Sequence, residues 1–146
     1  MPRPPRSFAP GGHYHLTACG NNDGAIVVDD VDRARFVRLL DRVSTRFLID
    51  LYAWCLMTNH YHLVIATSLG SVSQALQYLN REYARGFNER HSRRGLLFES
   101  RFRATTLVDE QHRERAIEYV LANPVRAGIV AAPGDWPWAG AVGAAP

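Results

Sequence analysis

Hydrophobic and polar positions change period several times along this chain, and each change marks an element. Residues 13–19, His-Tyr-His-Leu-Thr-Ala-Cys, alternate as a half-buried strand does, and Gly20-Asn21-Asn22-Asp23-Gly24 behind them has turn chemistry. Asp30 is then expected to cap a helix over 30–48, with Phe36, Val37, Leu39, Leu40, Val43 and Phe47 as its apolar stripe. Residues 49–57 form a short, nearly continuous apolar run, separated by Thr58-Asn59 from a second run at 60–67, which predicts a hairpin. Ser71 with Gln74 makes a capping box for a helix reaching residue 90, and 93–108 follow as loop and strand. Asp109 caps a last helix that should end near Asn123, because Pro124 disfavours helical geometry in the residue before it. The tail around Asp135-Trp136-Pro137-Trp138 looks too short for another element.

The order strand, helix, strand, strand, helix, strand, helix predicts an α+β fold, a mostly antiparallel sheet covered by helices. At 146 residues the chain fits one domain. Residues 1–12, rich in Pro, Gly and Arg, read as an extended arm, and 13–146 as a single catalytic-sized domain.

Composition narrows the class. With 47% apolar and 21% charged residues the chain resembles an ordinary globular protein. No apolar run approaches the roughly 18–20 residues of a membrane span, so a cytoplasmic, nucleoid-associated protein without membrane contact is expected. Cys19 and Cys55 are too few and too far apart for a disulfide framework or cysteine zinc knuckle and read as small buried side chains. All 17 basic residues are arginine. Seven of them fall in residues 81–103, at positions 81, 85, 90, 93, 94, 101 and 103, against Glu82, Glu89 and Glu99. That local excess of four positive charges is more than the whole chain's net +3, and guanidinium forks suit phosphate geometry. Arg81, Arg85, Arg93, Arg94, Arg101 and Arg103 are therefore candidate DNA contacts; a solvated arginine-rich surface is the blander reading.

On a strand, residues two apart share a face, so His60 and His62 should present two imidazoles together while Tyr61, Leu63 and Ile65 face the other way. With six histidines in the chain such a pair alone says little, and His13 and His15 form another. The last helix adds weight. At about 100° per residue, Ile117, Val120 and Leu121 define its apolar side, and Tyr119 lies about 200° from Ile117. Asn123, one turn on, shares Tyr119's face and offers a carbonyl oxygen, while Arg115, one turn before, could hold a phosphate. Tyr83 sits on the second helix's apolar stripe and reads as packing. Tyr78, expected to face outward between Arg81 and Arg85, is the rival nucleophile.

Several stretches together resemble a known family. Leu56-Met57-Thr58-Asn59-His60-Tyr61-His62-Leu63-Val64-Ile65 is similar to the signature of the REP-associated tyrosine transposases, the RAYT branch of the HUH single-tyrosine transposases. Gly11-Gly12-His13-Tyr14-His15-Leu16-Thr17 resembles that family's first strand, and Gly95-Leu96-Leu97-Phe98-Glu99-Ser100-Arg101-Phe102 its Gly-x-Leu-Phe-x-x-Arg-Phe segment. Residues 119–128 resemble its Tyr-Ile-x-x-Asn-Pro-Val-x-Ala-Gly block; Ala139-Gly140 departs from the family's serine pair after Pro-Trp. The resemblance implies that His60 and His62 hold a metal, that Asn123 is its third ligand and that Tyr119 is the nucleophile. It also implies Mg²⁺ or Mn²⁺, where imidazole chemistry alone would suggest a later transition metal.

The expected activity is metal-dependent nicking and rejoining of single-stranded or hairpin DNA through a covalent 5′-phosphotyrosine, by a monomer or homodimer. No Gly-x-x-x-x-Gly-Lys loop is present, consistent with strand exchange that needs no nucleotide. Two other readings compete: a domesticated protein that binds a palindromic hairpin without cutting it, and a zinc hydrolase built on His13, His15, His60 and His62. His15 is expected to take no direct part in holding a metal.

Overall fold

The structure, a computed structural model, describes residues 6–141. The elements run β1 (His13–Cys19), α1 (Asp30–Arg46), β2 (Ile49–Leu56), β3 (His60–Thr67), α2 (Val72–Arg90), β4 (Arg103–Thr106), α3 (Glu110–Arg126) and β5 (Ala139–Ala141). The strands form one sheet in the order β4-β1-β3-β2-β5, and every pairing is antiparallel. This is the α+β arrangement that the hydrophobic pattern predicts.

The pleat of β3 divides the molecule into two layers. Tyr61, Leu63 and Ile65 point to one side, where with Leu16 and Ala18 they meet Phe36 and Leu40 of α1 and Leu79 and Tyr83 of α2. Val64 points to the other side, where with Ala53 and Cys55 it meets Ala116 and Val120 of α3. Val120 is fully buried there, which contributes about 1.5–3 kcal/mol and holds α3 across the centre of the sheet. His60 and His62 share Val64's side, so the pleat delivers both imidazoles to the α3 layer. Of the predicted arm, residues 1–5 lie outside the described residues; the remainder packs on the body, with Phe8 edge-on to Tyr14 at 4.8 Å and Gly11 N donating to Thr67 O.

Several boundaries differ from expectation. Asp29, not Asp30, caps α1, because its extended backbone lets its carboxylate accept from the N–H groups of Val31 and Asp32. That helix ends at Arg46, two residues early, with Leu48 in a left-handed conformation behind it. Ser71 occupies the cap position of α2 without capping it: at φ −84°, ψ 36° its hydroxyl makes no capping hydrogen bond, so the Ser71–Gln74 box does not form. Pro124 does not end α3. It lies buried on the same stripe as Ala116 and Val120, and only one turn follows before Gly128, at φ +74°, closes the helix; Ala127 N donates to Asn123 O and Ile129 N to Pro124 O. Packing on the sheet outweighs the one intrahelical bond that proline removes.

The tail supplies a strand that was not anticipated. Ala139, Gly140 and Ala141 pair with Cys55, Trp54 and Ala53 along the free edge of β2. Trp136 Nε1 donates to Leu56 O at 3.1 Å, and Leu56 N donates to Trp138 O at 2.8 Å, so the two tryptophans fix the register. On the opposite layer Arg90 of α2 grips α1, 2.6 Å from Asp29 and 2.9 Å from Asp32, while His91 Nε2 lies 2.8 Å from Asp32. Among the described residues no helix is long and apolar enough to cross a membrane.

Candidate active site

Asn59, the second residue of the β2–β3 turn, orients the first imidazole: its Oδ1 lies 2.7 Å from His60 Nδ1. A carbonyl oxygen can only accept, so Nδ1 carries the proton and Nε2 keeps its lone pair. Asn123 Nδ2 lies 2.9 Å from His62 Nε2, a contact that suits the tautomer with its proton on Nδ1. That Nδ1 is 3.0 Å from both Thr17 Oγ1 and His15 Nε2 on the neighbouring strand. Each ring is thus steadied at Nδ1 by a neighbouring group, the arrangement a histidine ligand requires.

Electrostatics keep these rings neutral. Burial, with the positive charges that His60, His15 and Arg126 would place beside it, pushes His62 down to about 3. Burial also lowers His60, against a hydrogen bond with Asn123, and burial lowers His15 with His112 adding to it. The ring centroids of His60 and His62 are 5.0 Å apart and Asn123 reaches both. Two nitrogen lone pairs and an amide that can turn its oxygen inward form a donor set able to hold a divalent ion with coordination positions left for substrate.

Tyr119 stands next to this group. Its ring lies edge-on to His15 and to His62, at 5.9 Å from each, yet it is 49% exposed, and among the described residues its hydroxyl makes no hydrogen bond. The guanidinium carbon of Arg126, two helical turns on, sits 3.9 Å over the same ring. A half-exposed tyrosine, neutral imidazoles of which His62 is buried, and an arginine without an acidic partner among the described residues therefore lie side by side. Tyr78 has a different setting. It lies on the other layer, half-buried against Phe47 at 6.1 Å, with the Arg46 and Arg81 guanidinium groups over its ring at 4.7 and 5.7 Å. Tyr83 is buried and its hydroxyl donates to Ile26 O, as a packing residue should.

Residues 9–123 match the family described as "Transposase IS200 like". The chain belongs to that family. Among solved structures it is similar to a REP-associated tyrosine transposase bound to a REP hairpin, at 17% identity and a TM-score of 0.76 over 95% of this chain and 82% of that one. It is also similar to a Deinococcus radiodurans protein named as a transposase, at 20% identity and a TM-score of 0.55 over 81% of this chain and 95% of that one. At such identities these likenesses show a shared fold. No curated protein matches the sequence significantly.

Within this transposase fold the expected site residues separate. His60, His62, Asn123 and Tyr119 come together. His13 does not join them: its ring faces Tyr52 at 5.6 Å, with Arg113 3.3 Å from its Nδ1. Among the described residues no three His, Cys, Asp or Glu side chains gather as a metal site, so the four-histidine zinc hydrolase has no geometry to rest on. Cys55 is buried with its thiol pushed up to about 12 by that burial, an inert packing group; Cys19 is half-buried and free.

The arginine-rich stretch is not one surface. Arg81 and Arg85 lie on α2, on the layer away from the histidines, and both neighbour Glu82, Arg85 at 2.6 Å. Arg93 folds back to donate to Asn88 Oδ1 and to the carbonyls of Gly95 and Leu96. Arg94 and Arg115 are exposed without a hydrogen-bond or ion-pair partner among the described residues. Arg101 lines a cleft beside α2. Arg103 pairs with Thr17 across β1 and β4, which puts its side chain on the histidine face. Sequence reasoning missed Arg126, Thr17 and Asn59. Arg126 was findable, since seven residues bring a helix back to within about 20° of its starting face.

Proposed function

We propose that this chain cuts and rejoins single-stranded or hairpin DNA, with Tyr119 as nucleophile and His60, His62 and Asn123 holding a Mg²⁺ or Mn²⁺ ion. The observation that carries the reading is the half-exposed Tyr119 ring set against His62 and beneath Arg126. A neutral phenol attacks poorly, and a divalent ion held there would supply Lewis-acid polarisation of the phosphate. The protein's share is placement. His15, Thr17 and Asn59 fix the two ring orientations, and Arg126 holds the Tyr119 ring while offering guanidinium donors to the phosphate oxygens beside it.

In the forward step a bond forms between Tyr119 Oη and phosphorus, the P–O3′ bond breaks, and the phenolic proton is given up as the departing 3′-oxygen gains one. The 5′-phosphotyrosine keeps the bond's free energy, so attack by another 3′-hydroxyl rejoins strands without a nucleotide cofactor. A hairpin substrate is supported by the similar REP-associated transposase, whose structure contains one. The test is incubation of the whole protein with a labelled hairpin oligonucleotide carrying single-stranded flanks, followed by a denaturing gel. A covalent adduct formed with Mn²⁺ and absent with EDTA is expected; tight hairpin binding with no adduct under any divalent ion would leave only a DNA-binding role.

A further inference from the structure

One charge in the α3 layer has no counter-ion and lies outside the Tyr119 site. Arg113 stands three and four residues before Ala116 and Ile117, so it belongs to the stripe that α3 turns toward the sheet. An arginine in such a place is normally paired with a carboxylate, yet Arg113 forms no ion pair among the described residues. Its guanidinium carbon sits 4.9 Å over the Tyr52 ring, and its Nη1 lies 3.3 Å from His13 Nδ1. The His13 and Tyr52 rings meet edge to face at 5.6 Å, and all three side chains are half-buried. A bulge completes the group. Leu51 pairs with Ile65 and Ala53 with Val64, so Tyr52 is an extra residue on β2 with no partner on β3. Strict alternation would put Tyr52 on the face away from Ala53; the bulge lets its ring pack in Ala53's layer instead.

Each member of this cluster has a donor to spare. An arginine can only donate, so His13 Nδ1 accepts and the ring proton is on Nε2. The Tyr52 hydroxyl makes no hydrogen bond among the described residues, and most of the Arg113 N–H groups are unused. Asp50 stands across Ala66 from His13 in the same row of the sheet and makes no ion pair with Arg113, so the positive charge is uncompensated. A guanidinium fork, a phenol and an imidazole N–H suit a phosphate diester, which has two unesterified oxygens to receive them. The position suits one too. Tyr119 lies six residues further along α3, about 9 Å at 1.5 Å per residue, and His13 is two residues from His15, whose ring touches Tyr119. At a B-form rise of about 3.4 Å per nucleotide, that distance is spanned within about three nucleotides.

We propose that Arg113, Tyr52 and His13 hold a backbone phosphate of the strand that Tyr119 attacks, within about three nucleotides of the scissile bond. The inference rests on the strand-transfer reading for its substrate, but the subsite itself needs neither metal nor nucleophile.

The test measures binding in EDTA of the whole protein to DNA hairpins with single-stranded flanks, each flank phosphate being replaced in turn by an uncharged methylphosphonate. Wild-type affinity should fall about 10- to 100-fold at one flank position, as expected when a hydrogen-bonded charge is removed. Arg113→Gln should bind the unmodified hairpin weaker by about the same factor, lower the salt slope by about 1, and show no further loss at that one position. Tyr52→Phe, which keeps the ring beneath Arg113, should hold its Tm and shrink the loss at the same position by about 2- to 10-fold; it decides the matter if Arg113→Gln does not fold. A wild type indifferent to every methylphosphonate would overturn the proposal. So would variants that bind all hairpins more weakly but keep the full position-dependent loss, the mark of a structural role. Binding requires no cutting, so a missing covalent adduct would count against Tyr119 and leave this result intact.

Discussion

Replacing Tyr119 by phenylalanine separates its chemistry from its packing. The substitution removes one oxygen that is bonded to no described residue on a half-exposed side chain, so it should change stability by under about 0.5 kcal/mol. For a domain of this size that is a Tm shift below about 2 °C. The ring stays in place, edge-on to His15 and His62 and beneath Arg126, so the surface around it is unaltered. Tyr119→Ala, by contrast, also removes the arginine–ring contact, worth about 0.5–1 kcal/mol at an exposed site, and the edge contacts on two imidazoles. Its Tm should fall by several degrees more. With a labelled hairpin and Mn²⁺, Tyr119→Phe should bind with wild-type affinity and give no gel-resolved adduct, while Tyr78→Phe, altered on the opposite layer, should give the wild-type amount. Adduct formation by Tyr119→Phe that is lost in Tyr78→Phe would refute the assignment. A Tm drop above about 5 °C in Tyr119→Phe would refute the packing argument.

Substitutions at three other positions probe the supports. Arg126→Met should slow adduct formation about 100-fold with stability changed by under about 1 kcal/mol, and Arg126→Lys should restore only part of the rate because a point charge lacks the planar fork; wild-type kinetics for Arg126→Met would remove it from the site. The Arg90 clamp should set the acid limit: hydrogen bonding from Arg90 holds the Asp29 carboxyl at about 2, and although burial raises Asp32, bonds from Val28 N, His91 and Arg90 keep it below its ordinary value. Both carboxyls are depressed on folding, so their contribution is complete above about pH 4 and is lost as pH falls through the folded values; Asp32→Asn should cost about 2–3 kcal/mol at pH 7 and flatten that acid loss in circular-dichroism titrations. Gly86→Ala should destabilise by about 1–2 kcal/mol despite a better helix propensity, because the new Cβ would fall 1.9 Å from the Arg35 guanidinium, which donates to Tyr83 O and Glu82 O; in an Arg35→Ala background the same change should stabilise by up to about 1 kcal/mol.

The elements with strong local periodicity are legible in the sequence itself. The strand period put His60 and His62 on one face, and the helical period put Tyr119 and Asn123 on another, because both are properties of a few consecutive backbone units. What brings those two faces together is long-range. His62 meets Asn123 only because β3 lies at the centre of the sheet with α3 laid across it, and His15 and Thr17 reach His62 only through the β1–β3 register. The same dependence explains the misses. Ala139-Gly140-Ala141 has no strand pattern of its own and becomes β5 because the edge of β2 and two tryptophan-linked hydrogen bonds capture it. Pro124 stays helical because its buried ring belongs to the stripe that seats α3, a gain no rule about neighbouring residues can weigh. The arginines were countable in the chain, but their division among an α1–α2 clamp, a loop tie and the β4 edge was decided by which carboxylates and carbonyls the fold brings within reach.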